Sequence, residues 1–452
     1  MTILTILFGL IGLGIVVFVH ELGHFTFARL CGVEVEEFSL GWGPKLWGFR
    51  RGKTTYRLSM LPIGGYCKMK GDEAYRKAIE QNLDAFPLEP GSYHSAHPLK
   101  RIIISIGGPL FNVIFAMLVF ITIALVGQTI HTFPNRIIVA DDYLSTPTVL
   151  PARAAGLQTG DFITTINGRA TASFGDIQKV VSMSAGQDLV LSVRRGETDL
   201  TLRLKPSLDT DTGAGRIGIY PWVDPVVGSV SPDGPAYIAG IKPGDRIIAV
   251  AGIAINHYIG LTAFLQEQTP AGLDCEILRS GERLTVRIVP GYSEAGIDLG
   301  IGWQTLDLLI RSDNFIMAIG NGIKETFSNI GGTLHGLATL FKGVNPLKAL
   351  SGPARITWLV GQVATDGFES GLQSGLTSSF NFLAILSIGL FIMNLLPIPV
   401  LDGGWIVLFL LELVRGRPVK VKTVFRYQLI GVFALLALFL LTTIGDILFF
   451  GK

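Results

Sequence analysis

The sequence predicts an α-helical membrane protein with four transmembrane helices and two tandem β-rich domains between the second and the third. Three observations carry this reading. Four long stretches are almost purely apolar. Only 16% of the 452 residues are charged, where an ordinary soluble protein carries about 25%, and mean hydropathy is +0.48. A pattern that begins at Pro151 returns at Pro235.

The first uncharged run, 3–19, is long enough to begin a crossing. The span 1–30 continues it through two histidines. A cleaved signal peptide is not expected, because no Lys or Arg precedes Arg29. A loop, 31–101, holds a turn-punctuated β pattern at 45–71 that predicts a small hairpin at the inner membrane face. The second span is 102–126. The β-rich domains are 127–221 and 222–308. An amphipathic helical region, 309–381, follows. In it Ile323, Phe327, Ile330, Leu334, Leu337 and Phe341 form one stripe, which either lies on the membrane or packs against the protein's own domains. The third span is 382–403, interrupted by Asn394, Pro397 and Pro399. The loop 404–426 opens with an apolar stretch too short to cross alone, which either continues the third span or lies at the interface. The fourth span is 427–452.

Twelve Lys and Arg run from Arg29 to Arg101, and five from Arg415 to Arg426. The positive-inside rule assigns both loops to the cytoplasm. Both termini and the β-rich domains then lie outside. A net charge of +2 gives no reason to expect nucleic acid. Cys31, Cys67 and Cys275 are scattered and odd in number, so they imply neither a disulfide framework nor a CxxC metal pair.

In the internal repeat, Gly156/Gly240, Gly160/Gly244, Asp161/Asp245 and Gly168/Gly252 coincide at an offset of 84 residues, and an alternating stretch follows each copy. The pattern resembles PDZ domains in the circularly permuted form found in bacterial proteases. Such domains bind peptides by strand addition. Peptide ligands and a plain spacer or lid role are both open.

His20-Glu21-Leu22-Gly23-His24 lies inside the first span. Residues four apart share a helix face, so His20 and His24 can chelate one zinc ion and Glu21 can act as general base toward activated water. Ionisable groups within a span are expensive unless paired or liganded. The third ligand must come from elsewhere. His94 and His97 lie in a polar loop, and His131, His257 and His335 lie in the outer segment. Asp402, near the inner end of the third span, is at matching depth.

With "NLLPIPVLDGG" at 394–404, the HExxH motif resembles the site-2 protease family of intramembrane metalloproteases. "GGPLFN" at 107–112 and "LSGPARI" at 350–356 fit as well, and the likeness covers essentially the whole chain. It implies one Zn2+ held by His20, His24 and Asp402, with Glu21 as base and Asn394 holding the substrate strand. It implies a membrane-reentrant β-hairpin at about 54–69 and outer domains that act as a size filter. The expected setting is a bacterial inner membrane. Termini and PDZ-like domains would be periplasmic, and the active site would lie within the bilayer toward the cytoplasm. Expected partners are the lipid bilayer, the transmembrane helix of a single-span anti-sigma factor, and remnant signal peptides. One departure is Trp405, where members often carry His. A reading from another class is a PDZ-bearing membrane scaffold or adaptor with a non-catalytic metal site.

Overall fold

The computed structural model describes residues 3–451 apart from 82, 84, 144–148, 269–270 and 294–295. The chain forms two compact units, Met1–Gln128 with Ile310–Lys452, and Thr129–Leu309.

In the first unit, four helices among the described residues are long and apolar enough to cross a membrane: Ile3–Leu30, Pro98–Val126, Leu372–Leu395 and Val421–Phe450. The first two cross closely. A Cβ on Gly23 would stand 2.1 Å from the Gly107 carbonyl oxygen, so only glycine permits this approach. The third apolar helix begins at Leu372 rather than at 382, and it ends at Leu395. Pro397 and Pro399 lack an amide hydrogen and push their preceding residues out of helical conformation. The chain leaves extended at Leu396, and a separate helix starts at Asp402 and runs to Arg415. Its 14 residues span roughly 21 Å. It neither continues the third helix nor reaches across a bilayer.

Two polar devices fix the ends of these helices. Asp446 on the last helix accepts from the backbone amides of Gly352 (2.8 Å), Ala354 (3.0 Å) and Arg355 (3.1 Å). It thereby satisfies otherwise unpaired donors at the start of the helix Pro353–Glu369. Arg101 and Glu412 form a buried ion pair between the second helix and the helix Asp402–Arg415. Removing one partner of such a pair costs about 3–5 kcal/mol. The amphipathic region forms the helix Phe315–Thr339, capped by Asn314. It packs on the second and third apolar helices, with Ala318, Gly322 and Thr326 buried, while Phe327 and Leu334 of the expected stripe, and Phe341 past the helix end, stay exposed.

In the second unit, two four-stranded sheets repeat one order. The first is Arg169–Ala170, Phe162–Ile166, Leu189–Arg195, Thr198–Leu204, and the second is Ile253–Ala254, Arg246–Val250, Leu273–Arg279, Glu282–Ile288. Every strand repeats at the offset of 84 residues seen in the sequence, and each sheet has its own core. The repeated Gly-Asp pair is explained by a clamp. Asp161 takes both Arg195 Nε (2.8 Å) and Nη2 (2.9 Å), and Asp245 takes both Arg279 Nε and Nη2 (2.7 Å each). The same arginines donate to the carbonyls of Gly156 and Gly240.

Among the contacts that join the copies is a part-buried polar one. Tyr143 Oη lies 2.9 Å from Nε2 of the buried His257, and the Gly260 amide donates to His257 Nδ1 at 3.1 Å. Burial, with Arg136 nearby, lowers the His257 pKa below its ordinary 6.5. The unfolded chain therefore binds the proton more readily, and stability falls as pH drops through about 6.5. Protonated Nδ1 also cannot accept from Gly260. In the intact protein, amide-exchange protection around Gly260 should fall between pH 7.5 and 5.5 after correction for intrinsic rates, and His257→Gln should flatten the dependence. Equal slopes in both proteins would refute this.

Candidate metal centre

The first helix points His20 and His24 to one side. Their Nε2 atoms lie 3.2 Å apart. Asp402 Oδ2, at the start of its own helix, lies 3.2 Å from His20 Nε2 and 3.4 Å from His24 Nε2. Among the described residues these three form the cluster able to hold a metal ion. The spacing fits zinc: ligand atoms at about 2.0–2.1 Å from a tetrahedral ion stand roughly 3.3 Å from one another. Asp402 Oδ2 is also buried without a hydrogen-bond partner, an arrangement that a cation would resolve.

The second helix supports both imidazoles. The His24 ring donates from Nδ1 to the Ile104 carbonyl at 2.9 Å, which leaves Nε2 with its lone pair. Asn112, fully buried, presents its side-chain amide to His20 Nδ1 at 3.1 Å, while its Oδ1 has no partner. Amide oxygen and nitrogen are assigned from such networks. With the amide turned over, Oδ1 accepts from Nδ1–H, the orphan disappears, and His20 Nε2 is also free to ligate. Carboxamides and carbonyls commonly orient ligand histidines in this way. Space in front of the ligands is kept by Gly108, whose Cβ would stand 2.4 Å from His24 Nε2.

Glu21 lines a cavity with His24, Asp402, Cys67, Met69, Tyr93, His94, Ile104, Ser105 and Trp405. Its side chain lies beside the same strand as Cys67, where a Cβ on Gly65 would stand 3.7 Å from Glu21 Cγ. Cys67 belongs to the strand Thr54–Met69, which pairs with the strand Val35–Arg51. Here Glu37–Leu40 lie between two stretches of the second strand, facing Lys68–Gly65 on one side and Thr55–Leu58 on the other. The Gly65–Met69 stretch thus runs beside the motif helix. Farther out, Trp42, Leu46, Trp47, Phe49, Met60 and Leu61 are exposed.

His94 lines the cavity but stays outside the ligand cluster. It stacks on Phe86, and burial pushes its pKa down to about 4. Asn394 is the second-last residue of the third apolar helix, half-buried, and is not part of the cavity wall. Two residues before Asp402, Val400 adopts φ +79°. A left-handed β-branched residue stores about 1–2 kcal/mol of strain, and such strain concentrates at functional sites. Asn112 closes the motif at 107–112, yet its type and spacing do not mark it as a partner of His20. Nothing local in the sequence signals the roles of Ile104 or Gly108.

Two helix-borne imidazoles four residues apart, a carboxylate from a second segment and a glutamate beside them, set among membrane-type helices, define a zinc metallopeptidase. The match to a family model agrees with that class. The model of peptidase family M50 matches residues 8–438, and the chain belongs to this family. A Treponema pallidum protein named as a zinc metalloprotease is 42% identical over 437 residues, covering 96% of this chain and 97% of that one. One of Borreliella burgdorferi with the same name is 31% identical, covering 98% of each. The regulator of sigma-E protease RseP of Escherichia coli is 29% identical, covering 91% of each.

Proposed function

We propose that this metallopeptidase cleaves transmembrane segments of single-span membrane proteins, with His20, His24 and Asp402 as zinc ligands and Glu21 as general base. The convergence of the three ligand atoms, 3.2–3.4 Å apart, carries the reading. When bound, zinc supplies Lewis acidity that polarises a peptide carbonyl and acidifies water. Glu21 takes the proton and passes it to the departing amide nitrogen. Ile104 and Asn112 hold the imidazoles so that both Nε2 atoms converge with Asp402 Oδ2, where a zinc ion would be held.

A substrate helix keeps its carbonyls in its own hydrogen bonds, so it must be opened first. The Gly65–Met69 edge, beside the cavity, suits pairing with an extended strand. Asn394 offers donors and acceptors for the same backbone. The exposed aromatic and aliphatic row of the hairpin is consistent with a membrane-reentrant element. The repeated β units, read as PDZ-like domains, would lie on the periplasmic side with both termini and exclude substrates with bulky outer domains. An anti-sigma factor and remnant signal peptides are the substrate classes this reading favours; the name of the Escherichia coli relative supports the first.

Zinc content of the purified protein tests the centre. The wild type should hold one zinc per chain, and His24→Ala and Asp402→Ala should each hold far less. Equal zinc in all three would overturn the ligand set.

A further inference from the structure

We propose that the turn between the helices Asp402–Arg415 and Val421–Phe450 is a docking surface for anionic phospholipid headgroups. Arg415, Arg417, Lys420, Lys422 and Arg426 fall within twelve residues, with no acid among them. All five are exposed, and none has a hydrogen-bond or ion-pair partner among the described residues. The nearest acid along the chain, Glu412, is buried and already engaged by Arg101 and by the Val419 amide at 3.0 Å.

The position suits headgroups. The last helix has 30 residues, roughly 45 Å at 1.5 Å per residue against a hydrocarbon core of about 30 Å. The charged first turns, which carry Lys422 and Arg426, are the part suited to the headgroup layer. These two are one turn apart, and below them Phe425, Leu429 and Ile430 are exposed. On the short helix, Leu410, Leu411, Leu413 and Val414 are exposed just before Arg415. Cations above an apolar skirt match the charge and polarity order of an anionic leaflet. A soluble acidic partner would not need the skirt.

The surface is held rigidly. Val419 is buried against Leu408 and Val424, and Tyr427 Oη donates to the Gly404 carbonyl in the first turn of the Asp402 helix. Headgroups gripping this turn therefore steady the element that carries Asp402. This consequence rests on the ligand reading above; the lipid binding itself does not.

The full chain in phosphatidylcholine nanodiscs containing increasing phosphatidylglycerol tests it, with retained lipid read by native mass spectrometry. Each cation contributes up to roughly fivefold to association with an anionic surface. Replacing all five by Gln should therefore lower phosphatidylglycerol retention more than about tenfold. The pair Arg415→Gln/Arg417→Gln, a milder change, should give an intermediate loss. Arg203→Gln/Lys205→Gln/Arg283→Gln, exposed residues of the second unit, should leave retention unchanged. Equal retention by the wild type and the five-Gln protein overturns the proposal. So does retention abolished by a soluble polyphosphate but indifferent to phosphatidylglycerol. Zinc content is measured in parallel, so a failure of the metal reading is seen separately.

Discussion

Glu21→Gln should reduce cleavage of a transmembrane substrate by about 10²–10⁴-fold, the usual contribution of a positioned general base, while zinc stays at the wild-type level. Glutamine keeps the volume, so the packing of this side chain beside Gly65 of the hairpin survives. It cannot take a proton from water at neutral pH. The three ligand atoms are untouched, since Glu21 belongs to the cavity wall and not to the cluster. The result separates a peptidase from an adaptor carrying a structural metal, which would keep its function. Cleavage within twofold of wild type would show that another group moves the proton. Parallel loss of zinc would show that Glu21 is a ligand.

Much of this was legible in the sequence because the physics is local. A run of apolar residues marks a span whatever surrounds it. Histidines four apart on a helix share a face, so half of the metal cluster follows from one pentapeptide. The 84-residue repeat of Gly-Asp pairs marks two related units, and Arg195 and Arg279 clamp the two aspartates. Asp402 was reached by matching depths along separate spans, an argument from topology. The break at Leu396–Leu401 was half visible in its prolines. That Asp402 opens a new helix depends on Gly403 and Gly404 packing on the carbonyls of Leu395, Leu396 and Ile398, a contact no periodicity encodes.

The parts that escaped are long-range. Asn112 is 92 positions from His20, and Ile104 is 80 from His24. Both act through a carbonyl or carboxamide, which occurs too widely to signal anything by type. The hairpin was expected as two strands; its first strand instead sits between two stretches of the second. What positions the chemistry is thus mostly the second helix, whose own sequence reads as an ordinary span.

That helix supplies the sharpest test. Gly108→Ala should yield a folded protein that has lost most of its zinc and, with it, its cleavage activity. Alanine is worth roughly 0.5–1 kcal/mol over glycine within a helix, so without a clash the change would be harmless or stabilising. The added Cβ, however, would lie 2.4 Å from His24 Nε2 and 2.8 Å from His20 Cε1. The rings have no easy retreat, because Nδ1 of each is tethered to this same helix. They must turn away, breaking the convergence on Asp402, or the helices must part. Gly107→Ala distinguishes these outcomes. Its Cβ would meet the Phe27 side chain at 2.6 Å and the Gly23 carbonyl at 2.9 Å, so it strains the helix crossing and not the ligand atoms. Gly107→Ala should lower the thermal midpoint while retaining more zinc than Gly108→Ala. Stoichiometric zinc in Gly108→Ala would mean that the ion does not sit where the two Nε2 atoms converge.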